Sequence, residues 1–295
     1  MNGNRAKLSA AAAMAIFGTI GVFRRFIDLP SGALALSRAV IGAVFLLALM
    51  ALRGRKADKS AVRRNFRWLL ASGACLGGNW ILLFEAYNFT SVAVATLCYE
   101  MGPVLVLLVS PLLFGERLGR RKTVCAALSV LGVVLASGVL DGGAAAQGKG
   151  IALALGAAGL YAGVMLCNRM IRSIEPMDRT VCQLAAAAVV MLPYVLLAEG
   201  SALSMPSVPA LGMVAVVGVV HTGIAYALYF GALGALPSQT AALLSYIDPA
   251  LAVLLSAFLL REPIGAAGVL GAALVLGATL AGEIQRPLKK RARQK

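Results

Sequence analysis

Two strongly apolar stretches of this sequence each carry a carboxylate and a proline. "TLCYEMGPVLVLL" places Glu100 three residues before Pro103, and "LLSYIDPALAVLL" places Asp248 directly before Pro249. Inside the hydrocarbon core of a membrane, a charge or an irregular backbone is tolerated only where it faces protein or a water-filled cavity. The two stretches therefore indicate a polar pathway through a membrane.

The prolines also loosen the helices that carry them. Because proline has no N–H, Pro103 leaves the carbonyl of Tyr99 without its helical donor, and Pro249 does the same to Ser245. Both positions fall about half-way along their apolar runs. Two interrupted helices with central carboxylates predict the wall of a solute pathway.

Glu100 is the first candidate for proton exchange, because it lies too deep in its run for the side chain to reach the membrane surface. The alternative is a structural role as the buried partner of Arg38. Asp248 lies at a similar depth. It either belongs to the pathway or hydrogen-bonds the backbone that Pro249 loosens.

Three further ionisable residues lie inside apolar runs. Arg38 and Glu85 both sit towards the outer ends of their segments, where they either form an ion pair, extend to the interface or contact solute, so they are secondary candidates. His221 is the only histidine in the chain. It is either a core residue or a proton relay, since histidine titrates near neutral pH.

Aromatic residues form a second layer around these charges. Trp80 and Phe84 are spaced i, i+4, and Tyr226 and Phe230 repeat that spacing later in the chain. Such a stripe either packs a core or encloses an organic cation or an apolar metabolite. The predicted solute and proton pathway comprises Glu100, Asp248, His221, Tyr99, Tyr246, Trp80, Phe84 and Tyr226, with Arg38 and Glu85 secondary and Pro103 and Pro249 as helix breakers.

The composition requires these residues to be positioned by membrane helices. The 295 residues are 60% hydrophobic and only 13% charged, against about 25% charged in soluble domains. Each spanning helix needs about 20 apolar residues. Ten such runs occur, near 8–26, 32–52, 68–88, 91–114, 122–140, 149–170, 180–198, 208–233, 238–260 and 264–283. The sequence predicts an all-α integral membrane protein with ten transmembrane helices.

The net charge is +15, and the topology of the chain explains where the basic residues lie. With both termini on one side, the loops and tail of that side carry 22 Lys and Arg residues, and the opposite loops carry 4. The positive-inside rule then places both termini in the cytoplasm, in the plasma or inner membrane. Contact with anionic lipid explains the basic residues better than a nucleic-acid site does. The five cysteines have no metal-like spacing, and no metal site is predicted.

The chain also repeats itself. A shift of 146 residues aligns 75–121 with 221–267 without a gap and with 13 identities in 47 pairs, including Pro103/Pro249 and Glu116/Glu262. Each copy contains five predicted helices, an odd number, so the second copy must be inverted relative to the first. The predicted units are residues 1–142 and 143–285, followed by a basic cytoplasmic tail at 286–295.

Several motifs resemble those of the EamA family of the drug/metabolite transporter superfamily. "FEAYNFTSVAVATLCYEMGPVLVLLVSPLLFGERLG" is similar to the family pattern of an apolar helix, a turn, a proline-bearing helix and a closing Glu. "HTGIAYALYFGALGALPSQTAALLSYIDPALAVLLSAFLLREPIG" resembles a second copy, and "FGTIGVF" followed by Arg38 resembles the opening of the unit. The resemblance covers nearly the whole chain.

The resemblance implies a ten-helix carrier with a central cavity that works by alternating access. Characterised relatives mostly export amino acids, metabolites or toxic organic compounds, often against protons, and some import nutrients. Many relatives carry an uncharged residue at the position of Glu100. This departure points to a cationic solute or to a distinctive proton site.

The leading functional prediction is a secondary transporter that exports small organic solutes in exchange for protons, with no cofactor and no enzymatic activity. The sequence contains no phosphate-binding G-x-x-x-x-G-K-[ST] motif for ATP hydrolysis. The alternatives are uptake of an organic cation nutrient, an intramembrane enzyme or a lipid scramblase. The expected partners are a small-molecule solute, protons and membrane lipids, with the protein a monomer or a homodimer.

Overall fold

A computed structural model describes residues 2–115, 119–137, 144–202 and 206–283. The first half contains α1 (Gly3–Gly18), α2 (Ile20–Arg25), α3 (Ser31–Leu52), α4 (Lys59–Ala86), α5 (Val92–Tyr99), α6 (Met101–Phe114) and α7 (Arg120–Ala136). The second half contains α8 (Ala144–Met170), α9 (Pro176–Tyr194), α10 (Val208–Gly218), α11 (Ala225–Leu233), α12 (Ser238–Ser245), α13 (Ile247–Phe258) and α14 (Ala266–Glu283). No strand occurs in these ranges.

Seven of the helical segments in the described ranges are long and apolar enough to cross a membrane. They are Gly3–Arg25, Ser31–Leu52, Lys59–Ala86, Val92–Phe114, Gln147–Met170, Pro176–Ala202 and Val208–Leu233. Two shorter apolar helices, Leu243–Phe258 and Ala266–Gly282, follow. The protein is therefore an all-helical, multi-pass membrane protein, as the composition predicts. The exact number of ten spans stays a prediction.

The start of α4 differs most from the prediction. The segment "LRGRKADKSAVRRNFR" reads as a polar loop, yet α4 begins inside it at Lys59. Asp58 explains this start, because its carboxylate accepts hydrogen bonds from the N–H groups of Ser60 at 2.9 Å and Ala61 at 3.0 Å. Such an N-cap satisfies amide donors that have no partner within the helix. The helix consequently extends beyond its apolar run.

Two predicted features lie outside the described residues. The boundary between the units, at 142 and 143, falls in the undescribed range 138–143, and the tail at 286–295 falls beyond residue 283. Glu116, the repeat partner of Glu262, also lies outside them.

The packing of the two halves is reciprocal. Helix α4 packs against α8, and at the corresponding place in the repeat α11 packs against α1. Helix α7 packs closely against α14, its own repeat counterpart. Gly132 of α7 and Gly271 of α14 lie at this contact, where a Cβ built on Gly132 would approach the carbonyl oxygen of Gly271 to 2.8 Å. The backbones therefore touch, as small residues allow between membrane helices.

The N-terminus of α3 is capped by an acidic side chain from the second half of the chain. The Glu199 carboxylate accepts hydrogen bonds from the N–H groups of Gly32 and Ala33, each at 2.8 Å, and so caps the first turn of α3. A carboxylate at a helix N-terminus is favourable both as an acceptor and against the helix dipole.

Replacing Glu199 with alanine is expected to lower the free energy of unfolding by about 1–2 kcal/mol, because two amide donors of α3 lose their acceptor. Glu175→Ala is the matched control. Glu175 is 62% exposed and pairs only with Arg55 in the described residues, so its loss is expected to cost less than about 0.5 kcal/mol. Unfolding by a denaturing detergent, followed by circular dichroism, measures both variants. Equal stabilities would contradict the capping role.

Candidate functional site

The candidate site is a cavity between the two halves of the chain. Its volume is about 550 Å³, within the range of small-molecule sites. Its walls come from α1, α2, α3, α4, α8 and α11 and from both interrupted segments, α5–α6 and α12–α13. The lining side chains combine three ionisable groups with many aromatic rings.

Both interruptions occur at equivalent positions. The helix breaks at Glu100 between α5 and α6, and at Tyr246 between α12 and α13. Each break lies three residues before a proline, Pro103 or Pro249, and the two breaks differ by the repeat offset of 146 residues. The missing proline N–H groups are the local cause. Pro103 lines the cavity, whereas Pro249 is buried.

Most of the predicted pathway residues line this cavity. Glu100 and Asp248 face it from the two interrupted segments. The other predicted residues that line it are Tyr99, Tyr246, Trp80, Phe84, Tyr226 and Arg38. The structure therefore brings together side chains from both repeats around one space.

Arg38 lies inside this cavity wall, and it forms no ion pair with Glu85. Its guanidinium stacks over the Trp80 ring at 4.0 Å from the ring centroid, and its Nε donates to Thr222 Oγ1 at 2.8 Å. Trp80 is itself only 4% exposed. The predicted interpretation of an Arg38–Glu85 pair is wrong because the two side chains turn to different surroundings.

Glu85 belongs to a polar cluster at the end of α4. Its carboxylate accepts from Ser31 Oγ at 2.7 Å and from Asn88 Nδ2 at 3.0 Å. Arg24 in turn donates to Ser31 Oγ and Asn88 Oδ1, both at 3.2 Å. Glu85 is not among the side chains that line the cavity. Its role in the described structure is to join helix ends.

His221 lies behind the cavity wall. It is 2% exposed, its Nε2 lies 2.8 Å from Thr19 Oγ1, and its ring packs edge-on against Phe23 at 4.7 Å. Nδ1 has no partner at hydrogen-bond geometry in the described residues, although the Val216 carbonyl is close enough to interact with the ring. These contacts place His221 between the α1–α2 junction and the π-helical turn Val219–Ile224, outside the cavity lining.

The cavity also contains aromatic side chains that the sequence reasoning missed. Tyr161 of α8 stacks on Tyr99 with centroids 5.0 Å apart, and Phe17 of α1 meets Tyr226 at 5.4 Å. Tyr229 lines the wall beside Tyr226. The one available signal was the spacing of Tyr226, Tyr229 and Phe230 on α11, since lone aromatics such as Tyr161 give no spacing pattern. No group of three metal-binding side chains occurs in the described part of the chain.

The cavity lining approaches both sides of the protein, since Gly21 of α2 and Tyr87 at the end of α4 also belong to it. On one side it reaches Leu236, in the loop between α11 and α12. On the opposite side the ends of α5 and α13 are joined through Glu262. Its carboxylate accepts from the Val92 N–H at 2.8 Å, from Arg25 at 2.5 Å and from Ser256 Oγ.

Comparison with known proteins identifies the fold and the class of protein. The sequence model of the EamA-like transporter family matches residues 4–138 and again residues 148–281. The chain belongs to the EamA-like transporter family. The two matches cover the two halves that the repeat predicts.

Individual relatives agree with this family membership. The chain is 31% identical over 252 residues to the "Uncharacterized transporter YxxF" of Bacillus subtilis (strain 168), covering 85% of this chain and 80% of that protein. It is 30% identical over 131 residues to an "Uncharacterized transporter" of Vibrio cholerae, covering 43% of each. A solved crystal structure that covers 94% of this chain and 96% of its own superposes with a TM-score of 0.67 at 23% identity, which shows a shared fold. Family and relatives point to a transporter rather than an enzyme.

Proposed function

We propose that this EamA-like transporter exports small organic solutes in exchange for protons by alternating access. The observation that carries the proposal is a cavity of about 550 Å³, at the breaks of two repeat-related helices, that holds two carboxylates and one guanidinium. Ionisable side chains in a membrane protein mark solute paths and proton relays. Half-helices at a central site are a recurrent element of secondary transporters.

Glu100 and Asp248 are the proposed proton carriers. Both line the same cavity, one on each interrupted segment. A carboxylate that alternates between water and protein can bind a proton in one state and release it in the other. The solute and the proton then compete for the same carboxylates in the cavity. Because only one of them can be bound at a time, their movements are coupled.

The positive-inside rule supports the direction of export. With the termini in the cytoplasm, the loop at Leu236 faces the cytoplasm, and the Glu262 contacts close the outer side. A cavity that reaches the loop at Leu236, with the outer helix ends joined through Glu262, is suited to accept solute from within the cell. The two repeats exchange roles when the outer side opens, as the inverted arrangement requires.

Transport in proteoliposomes tests the proposal. A panel of amino acids and organic cations is tested for movement against an imposed pH gradient in wild type, Glu100→Gln and Asp248→Asn. Wild type is expected to concentrate one or more solutes, and at least one of the two variants is expected to lose gradient-driven transport by about 100-fold or more while keeping solute counterflow. Glu175→Gln, which neutralises an exposed carboxylate away from the cavity, is the control.

Each outcome decides a different part of the proposal. Solute movement that is indifferent to the pH gradient in wild type would contradict proton coupling. Gradient-driven movement that survives in both Glu100→Gln and Asp248→Asn would remove these carboxylates as proton carriers. Accumulation of solute in the direction of proton flow would contradict export and support uptake of a nutrient.

A further inference from the structure

Arg38 is a buried cation with unused hydrogen-bond donors. The residue is 6% exposed and lines the central cavity. Its Nε is satisfied by Thr222 Oγ1 at 2.8 Å, and the face of its guanidinium lies on Trp80. Its two terminal amino groups have no hydrogen-bond acceptor, and no carboxylate lies within ion-pair distance, among the described residues. A charge held this deeply without a partner is costly.

The surroundings of Arg38 hold its guanidinium group in a fixed orientation. Thr222 holds the Nε edge, Trp80 covers one face, and the Phe84 ring lies 5.8 Å from the guanidinium carbon. The two terminal amino groups form the remaining edge of the guanidinium group, which faces away from Thr222. Their geometry suits a planar acceptor with two oxygens, and a guanidinium binds a carboxylate in that bidentate manner.

Asp248 supplies the opposite charge in the same cavity. It is near enough to Arg38 for their charges to interact, yet the two do not form an ion pair. The other polar neighbours of Arg38 are the hydroxyl groups of Tyr226, Tyr99 and Tyr87. The cavity thus presents the guanidinium of Arg38 and the carboxylate of Asp248, which do not form an ion pair, with aromatic rings around both. The second carboxylate of the cavity, Glu100, interacts with the phenol groups of Tyr99 and Tyr161.

We propose that the solute is a zwitterion, with its carboxylate on the terminal amino groups of Arg38, its ammonium group towards Asp248, and an apolar body against the aromatic walls. This inference rests on the proposed function of solute transport. A solute with only a positive charge would be attracted by the carboxylates but would leave Arg38 unpaired. A solute with only a negative charge would leave Asp248 without a partner and be repelled by it.

Three compounds of nearly equal shape separate these cases: phenylalanine, phenethylamine, which lacks the carboxylate, and 3-phenylpropionate, which lacks the ammonium group. Their binding is read from tryptophan fluorescence. The chain has two tryptophans, so a Trp68→Phe background leaves Trp80, on which Arg38 lies, as the reporter at the site. Leucine, isoamylamine and 4-methylpentanoate form a second, aliphatic set.

In each set the zwitterion is expected to bind at least about tenfold more tightly than the amine or the acid, because each of these leaves one buried charge unpaired. Arg38→Gln is expected to weaken zwitterion binding by about 10- to 100-fold and to leave amine binding unchanged or stronger. Arg38→Lys keeps the charge but loses the pair of parallel N–H donors, so its affinity for the zwitterion is expected to lie between those of wild type and Arg38→Gln. Arg63→Gln removes an exposed cation outside the cavity and is the control.

The wild-type comparison tests the inference even if an Arg38 variant fails to fold. Equal binding of phenylalanine and phenethylamine would overturn the carboxylate contact, and equal binding of phenylalanine and 3-phenylpropionate would overturn the ammonium contact with Asp248. Absence of binding by every compound in both sets would overturn the zwitterion assignment. The transport measurements with a pH gradient judge the proposed function separately, since other solutes can still move in them.

Discussion

Gly271→Ala is expected to lower the free energy of unfolding by about 2–3 kcal/mol or more, although it adds a single methyl group. A Cβ at Gly271 would lie 2.5 Å from the backbone nitrogen of Ala136 and 2.5 Å from the carbonyl oxygen of Gly132. Both atoms belong to the backbone of α7, so no side chain can rotate to make room. The contact between α7 and α14 would have to separate.

The same helix supplies the control for this prediction. Gly277 of α14 has nothing within 4 Å of a Cβ built on it, so Gly277→Ala is expected to leave stability unchanged or slightly raised by better helix propensity. Thermal melting in mild detergent, followed by size-exclusion chromatography, compares the two variants. If Gly271→Ala melts together with Gly277→Ala, the backbone contact between α7 and α14 is not as close as described.

Loss of the Glu262 carboxylate is expected to have the other large effect. Glu262→Ala removes the acceptor of the Val92 N–H, of Arg25 and of Ser256 Oγ in one change. Glu262 is only 14% exposed, so solvent cannot easily replace these contacts. Because a buried donor that loses a charged acceptor is strongly destabilising, we expect a decrease of about 3 kcal/mol in the free energy of unfolding.

Glu262→Gln separates the charge from the shape of this side chain. The amide keeps one carbonyl acceptor but loses the ion pair with Arg25, so its decrease is expected to be about half of that caused by alanine. Denaturing-detergent titrations of both variants measure the difference. Should Glu262→Ala prove as stable as wild type, the side opposite the loop at Leu236 would not depend on these contacts.

The structure also gives a reason for Glu262, the acid that follows the second proline-bearing helix. Glu262 caps α5, which is the half-helix that leads into Glu100 in the other repeat. The closing acid of one half thus fixes the start of the interrupted segment in the other half. A sequence comparison of the halves can find the acid but not its partner, because the partner lies in the opposite repeat.

The fold class, the repeat and the approximate course of the helices could be predicted from the sequence because each depends on local signals. Apolar runs predict the spanning helices, and prolines predict the interruptions at Glu100 and Tyr246. The start of α4 at Lys59 was missed because its residues are polar, and the Asp58 cap was not recognised as a helix start.

The orientation of the side chains could be predicted only in part. Arg38 and Glu85 have similar depths, yet the rotation of α3 and α4 about their axes sends them to different neighbours. The π-helical turn Val219–Ile224 shifts the faces of the side chains that follow it, and no sequence signal for that turn is evident. His221 lies within this turn, which is why its depth alone did not predict its contacts.

The two breaks share a backbone arrangement but differ in chemistry, and this difference gives the cavity a polarity. Under the repeat offset Glu100 corresponds to Tyr246, and Asp248 corresponds to Gly102. Gly102 has no room for a larger residue, since a Cβ there would lie 2.7 Å from the Tyr161 ring. An acid could be mirrored at that level only if the Tyr161 ring moved. A molecule bound in the cavity contacts different side chains at its two ends, so one orientation is favoured. It must either keep that orientation or rotate within the cavity when access changes from one side of the membrane to the other.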